Sequence, residues 1–148
     1  MREILFRGKR VDNGEWVEGG SLLQFLMIGG CKKMSIAPRG TKPHIKKDGQ
    51  VIQAEEIFPE TVGQYTGLTD KNGTRIFEGD IVKITGFHTT AIAAVKYGSP
   101  SEKSTSWGWY FDDNDGHTYF LMSKAFCRDY NAIIIGNIHD NPELLKGE

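Results

Sequence analysis

The chain has 148 residues, 39% hydrophobic and 25% charged, a composition that excludes a disordered or fibrous segment and suffices for one sizeable core or two very small ones. Eighteen glycines imply many turns and argue against a helical bundle. A net charge of −1 excludes a uniformly basic nucleic-acid binder, yet residues 1–50 carry +5 and residues 51–148 carry −6. That asymmetry admits a nucleic-acid face, a head-to-tail contact between subunits, or a solvated surface with no partner.

Short apolar or alternating runs, each bounded by Gly with Asn or Asp, recur about every ten residues, as consecutive β-strands and hairpins do. Asp12-Asn13-Gly14, Asp48-Gly49, Asn72-Gly73 and Asp115-Gly116 are the clearest turns. Around the first, Ile4–Arg7 and Glu15–Glu18 are expected to pair, with Trp16 on the buried face. Leu22–Ile28 reads as buried, either strand or short helix, and ends at Gly29-Gly30. It is too short to cross a bilayer, and the start Met1-Arg2-Glu3-Ile4-Leu5-Phe6-Arg7 lacks the apolar core of a signal peptide, so no membrane association is expected. Residues 31–47 carry Lys32, Lys33, Arg39, Lys42, Lys46 and Lys47 without one acid, and Pro38, Gly40 and Pro43 interrupt any ladder. This segment reads as an exposed basic loop or irregular edge.

The expected fold class is mostly β, with an irregular N-terminal β region over residues 1–60 and a second unit over 61–148. In the second unit, Asp80–Ile84, Ala91–Tyr97, Trp107–Phe111, His117–Met122 and Ala132–Ile138 are five candidate strands, a number and length that suit a small SH3-like barrel. The polar loop 98–106 separates the second strand from the third. Asp140-Asn141-Pro142-Glu143-Leu144-Leu145 sets a capping side chain before a proline and an acid, so a short C-terminal helix is expected there.

Chemistry-bearing patterns are sparse. His44, His88, His117 and His139 lack ligand spacing, and Cys31 and Cys127 lie far apart, as buried thiols in a reducing cytoplasm would. Asp112-Asp113-Asn114-Asp115-Gly116 resembles a calcium loop, but with Gly116 at the sixth position the first and twelfth are Phe111 and Met122, which cannot ligate. No metal or cofactor is expected. Glu78 and Asp80 could share a strand face as an acid and base pair, or Asp80 could simply organise the turn into Ile81-Val82-Lys83-Ile84. Trp107, Trp109 and Phe111 alternate, so they are expected on one face, either stacking on a ligand or filling the core with Tyr119, Phe120, Phe126 and Tyr130.

Val62-Gly63-Gln64-Tyr65-Thr66-Gly67-Leu68-Thr69-Asp70-Lys71-Asn72-Gly73, followed by Ile76-Phe77-Glu78-Gly79-Asp80-Ile81-Val82, resembles the YopX family of bacteriophage and prophage proteins. Arg2-Glu3-Ile4, Phe6-Arg7-Gly8 and Asp12–Val17 extend the resemblance at one end, and Ile135–Ile138 with Asn141–Leu145 at the other. It implies a mostly β protein with a small SH3-like barrel in its second half, encoded by a phage or prophage, and it brings no reaction or catalytic residue.

These readings lead to a non-enzymatic binding or assembly module in the bacterial host cytoplasm, a homo-oligomer or the partner of a host or phage protein. A second expectation is weak, sequence-independent nucleic-acid binding through Lys32, Lys33, Arg39, Lys42, Lys46 and Lys47. A third, less favoured, is carboxylate chemistry near Glu78 and Asp80.

Overall fold

The computed structural model describes residues 3–26, 32–42, 44–47, 51–86, 89–99, 107–113, 118–120 and 124–146. The protein is mostly β and divides into two compact units, Met1–Tyr65 and Thr66–Glu148.

In the first unit, β1 (Phe6–Lys9) and β2 (Trp16–Gly19) form an antiparallel hairpin around Asp12-Asn13-Gly14, pairing Phe6 with Gly19 and Lys9 with Trp16. Trp16 is half-buried rather than enclosed: the Arg7 guanidinium lies 4.7 Å and the Lys9 ammonium 5.9 Å from its ring centre, so the amphipathic side chains cover it. The ambiguous apolar run resolves as a strand, β3 (Ser21–Leu26), which pairs with β4 (Lys32–Ala37). A short ribbon, β5 (His44–Ile45) with β6 (Val51–Ile52), leads to β7 (Glu55–Ile57), which pairs with the other side of β4.

The basic segment is therefore not all loop. Its first third is the middle strand of a three-stranded sheet, and Ser35, Ile36 and Ala37 are buried. Lys32 and Lys33 head the strand and hide its buried half from a reading by charge. Ile36 and Ala37 form the first unit's core with Leu5, Ile57 and Tyr65. At its tightest point β2 meets β4 so closely that a Cβ added to Gly19 would lie 1.8 Å from the Ala37 carbonyl oxygen, a position only glycine can occupy.

A single 3-10 turn, Pro59–Thr61, precedes β8 (Gly63–Thr69), whose first residues pair with β1 and whose remainder enters the second unit. There β9 (Arg75–Phe77) follows the Asn72-Gly73 turn, where Gly73 adopts φ +84°, the left-handed region that favours glycine. The strands β10 (Asp80–Gly86), β11 (Thr89–Gly98), β12 (Gly108–Asp112), β13 (Thr118–Phe120) and β14 (Ile133–Asn137) make one antiparallel sheet in the order β13-β12-β11-β10-β14. This sheet curls into half a barrel.

The strand period places Val82, Ile84, Ala93, Val95, Trp109 and Phe111 on the inner face, where they pack with Ile76, Ala132 and Cys127. Cys127 lies on the short helix α1 (Lys124–Asp129), between β13 and β14. The expected C-terminal helix is a 3-10 turn, Pro142–Leu145, and Asn141 makes no side-chain cap to it. Instead Asn141 Oδ1 accepts from the Asn137 amide at 3.4 Å, tying the turn back to β14.

Candidate functional site

The basic residues do not gather into one cationic face. Lys33 pairs with Glu56 across the β4–β7 ladder at 3.6 Å, and Arg39 pairs with Glu3, 36 residues earlier in the chain. Both acids come from strands or leads that sequence distance separates from residues 31–47. Lys42, Lys46 and Lys47 are exposed, while the side chain of Lys32 lies outside the described residues. Because the first unit ends at residue 65, it also gathers Glu55, Glu56 and Glu60. Its charge is then ten basic against eight acidic residues, +2, and the second unit's is eight against eleven, −3. Much of the polarity of +5 against −6 thus cancels inside the first unit.

Arg39 stands at the edge of a cavity of about 310 Å³, bounded by the N-terminal lead Glu3–Leu5, the corner Gly20-Ser21 and the turn that follows β4. That turn is firmly built: the Thr41 amide donates to the Pro38 carbonyl at 3.1 Å, and the Thr41 hydroxyl bonds the same oxygen at 2.6 Å. Sequence reading singled out Arg39 as one cation among six and missed its partner Glu3, because nothing local links positions so far apart.

The aromatic stripe separates into two environments. Trp109 and Phe111 are 7% and 0% exposed and belong to the core, so neither offers a ring face to a ligand. Trp107 precedes β12 rather than belonging to it and is 71% exposed. Beside it, across the Gly98–Gly108 pair that ends the β11–β12 ladder, Tyr97 is 58% exposed and meets Trp109 edge-on, with ring centres 4.9 Å apart. The exposed pair at this end is thus Trp107 and Tyr97, the second of which the stripe did not include. The side chains of Tyr119, Phe120 and Phe126 lie outside the described residues, and Tyr130 packs partly buried against the core.

Of the carboxylates, Asp80 is 1% exposed and accepts the Phe77 amide at 2.7 Å, organising the turn between β9 and β10, whereas Glu78 is exposed. Asp112, in the calcium-like run, pairs with Lys96 at 2.7 Å, and residues 114–116 of that run lie outside the described residues. So does Cys31. Burial pushes the Cys127 thiol above its ordinary pKa, and the negative charge of Asp70 adds to the shift. No helix among the described residues is long and apolar enough to cross a membrane.

One buried carboxylate escaped sequence reading. Asp70 accepts the Asn72 and Thr74 amides on Oδ1, both at 2.9 Å, and the Ile134 amide on Oδ2 at 3.1 Å. Its position two residues before Asn72-Gly73 is the signal that could have found it, since a side chain there closes an Asx turn.

No functionally curated protein matches the chain. Among solved structures it is similar to protein EF1440 from Enterococcus faecalis, with 26% identity, a TM-score of 0.51, and coverage of 96% of this chain and 97% of that one. The family model described as YopX protein matches residues 5–146, which takes in both units, the Asp70 turn and the Asn137–Asn141 closure. The chain belongs to the YopX family.

Proposed function

We infer that this protein is a non-enzymatic binding and assembly module, encoded by a phage or prophage and made in the host cytoplasm, whose second unit is an SH3-like barrel that joins copies of the chain. The observation that carries this reading is the exposed pair Trp107 and Tyr97 at one end of the curled sheet. Large aromatic rings gain most from burial against a partner, and neighbouring exposed rings mark contact surfaces more strongly than scattered single ones. With the units at +2 and −3, charge contributes less to association than the chain halves imply, and the rings contribute more.

Sedimentation velocity on the full chain tests this, with Trp107→Ala and Tyr97→Ser compared with the parent. The parent is expected to sediment as an oligomer and both variants as folded monomers with native circular dichroism, Tyr97→Ser unfolding at the lower temperature of the two because it also loses the edge-on contact with Trp109. A parent that stays monomeric at every accessible concentration, in low and high salt, removes the assembly reading.

A further inference from the structure

The cavity beside Arg39 is walled on one side by backbone that cannot yield. Gly19 is pressed against the Ala37 carbonyl, and Leu5 below is 2% exposed. The opposite wall, Pro38–Thr41, is anchored from outside: the Lys42 amide donates to Gln53 Oε1 at 2.9 Å and the Thr41 hydroxyl approaches the Gln53 carbonyl at 3.1 Å. Gln53 makes these bonds from φ +59°, a left-handed conformation that strains a non-glycine residue. A strained anchor that persists in this way holds the turn, and Arg39 on it, in one place.

Arg39 presents a guanidinium to a carboxylate in this structure, that of Glu3, and the two side chains are 55% and 39% exposed. An ion pair this open stabilises the fold little, so a second carboxylate can displace the first at small cost. Next to it, Ile4 is 58% exposed and lines the same cavity, an apolar wall beside a charged fork. The volume is at the lower end of small-ligand sites and suits one or two residues of a peptide end.

We propose that this cavity binds a short aliphatic carboxylate, with the carboxylate on Arg39 in place of Glu3 and the hydrocarbon against Ile4. The planar fork favours the bidentate geometry of a carboxylate, and Glu3 holds the fork in position until a ligand exchanges with it. The carboxylate can come from the C-terminal end of a peptide or from a free short-chain acid. The site lies wholly in the first unit and is independent of the aromatic pair proposed for assembly.

The test is a titration of the full chain with the peptide Gly-Gly-Val, its C-terminal amide and 4-methylpentanoate, followed by backbone amide shifts. Saturable shifts confined to residues 3–5, 20–21 and 37–41 are expected with the free-acid peptide, at least tenfold weaker with the amide. Arg39→Gln should weaken binding at least tenfold, Arg39→Lys by less, and Glu3→Gln should strengthen it severalfold by removing the competitor. That last gain is what a merely structural ion pair would not give. A peptide that binds tenfold tighter than 4-methylpentanoate assigns the site to chain ends, and equal affinities assign it to small acids. The proposal is overturned by shifts that do not saturate, by an amide that binds as well as the acid, or by a Glu3→Gln variant with unchanged or weaker affinity.

Discussion

The Ile134 amide donates to the carboxylate of Asp70, 64 residues earlier, over 3.1 Å. Ile134 lies on β14, the last strand on its side of the sheet, and the neighbouring Ala132 carbonyl accepts the Lys71 amide at 2.8 Å. The turn between β8 and β9 therefore covers part of a sheet edge that would otherwise offer unpaired backbone to another chain. One side chain both closes its own turn and caps a distant strand.

Asp70→Ala leaves three amides without that acceptor, and bonds to a charged acceptor are worth more than neutral ones. A loss of roughly 2–4 kcal/mol is expected from denaturant unfolding. Asp70→Asn should recover part of it, since an amide oxygen still accepts. A loss within 0.5 kcal/mol for the alanine variant, on the order of an ordinary surface substitution, would show that the carboxylate does not hold the edge.

Two glycines separate conformational strain from collision. Gly73→Val forces a β-branched residue to φ +84° with open space around its Cβ, at a cost of about 1–3 kcal/mol. Gly19→Ala has no strained φ to resist it, but its Cβ must pass the Ala37 carbonyl oxygen at 1.8 Å, so the β2–β4 contact has to open. Circular dichroism on thermal unfolding should place Gly19→Ala well below Gly73→Val, although alanine is the smaller residue. The reverse order would mean that β2 and β4 separate without penalty.

The Asn72-Gly73 turn and the five strands of the second unit's sheet were legible because their signals are local, whereas the place of β14 beside β10 rests on a long-range pairing that no local pattern carries. Asn72-Gly73 announces a turn, and alternation in Ala91–Tyr97 and Ala132–Ile138 announces strands. Trp107 and Trp109 mark where that legibility ends: identical residues two positions apart differ tenfold in exposure, because the ladder begins only at Gly108. Arg39 marks a second limit. Its charge is visible in the sequence, but its neutralisation by Glu3 and its place beside a cavity depend on how the lead before β1 passes the turn after β4.

Ion pairing also limits what the basic segment can do with nucleic acid. Lys33 and Arg39 reach a phosphate only by giving up Glu56 and Glu3, one anion exchanged for another. Lys42, Lys46 and Lys47, exposed and without an acidic partner among the described residues, are therefore the cations of the segment that bring a new charge contact. Binding to single strands through three phosphates would give a slope of log affinity against log salt of about −2. Gel-shift titrations across salt, with Lys42, Lys46 and Lys47 changed to Ala, are expected to give no steeper slope in the parent and none in the variant. A parent slope steeper than about −4 would require cations beyond these three.

Burial and the charge of Asp70 both raise the Cys127 thiol pKa, so at a given pH less of it is thiolate than in a free cysteine. Thiolate is the reactive form, and enclosure at 3% exposure slows access further. In a Cys31→Ser variant, modification by a disulfide reagent at pH 8 is expected to run at least about tenfold slower than for glutathione, and to approach the glutathione rate once the protein is unfolded. The native rate should also keep rising at pH values where that of an ordinary cysteine levels off. Asp70→Asn removes the nearby charge and lowers the thiol pKa, so this rise should begin at lower pH. A native rate equal to that of glutathione would place Cys127 at the surface and contradict the packing of α1 against the sheet.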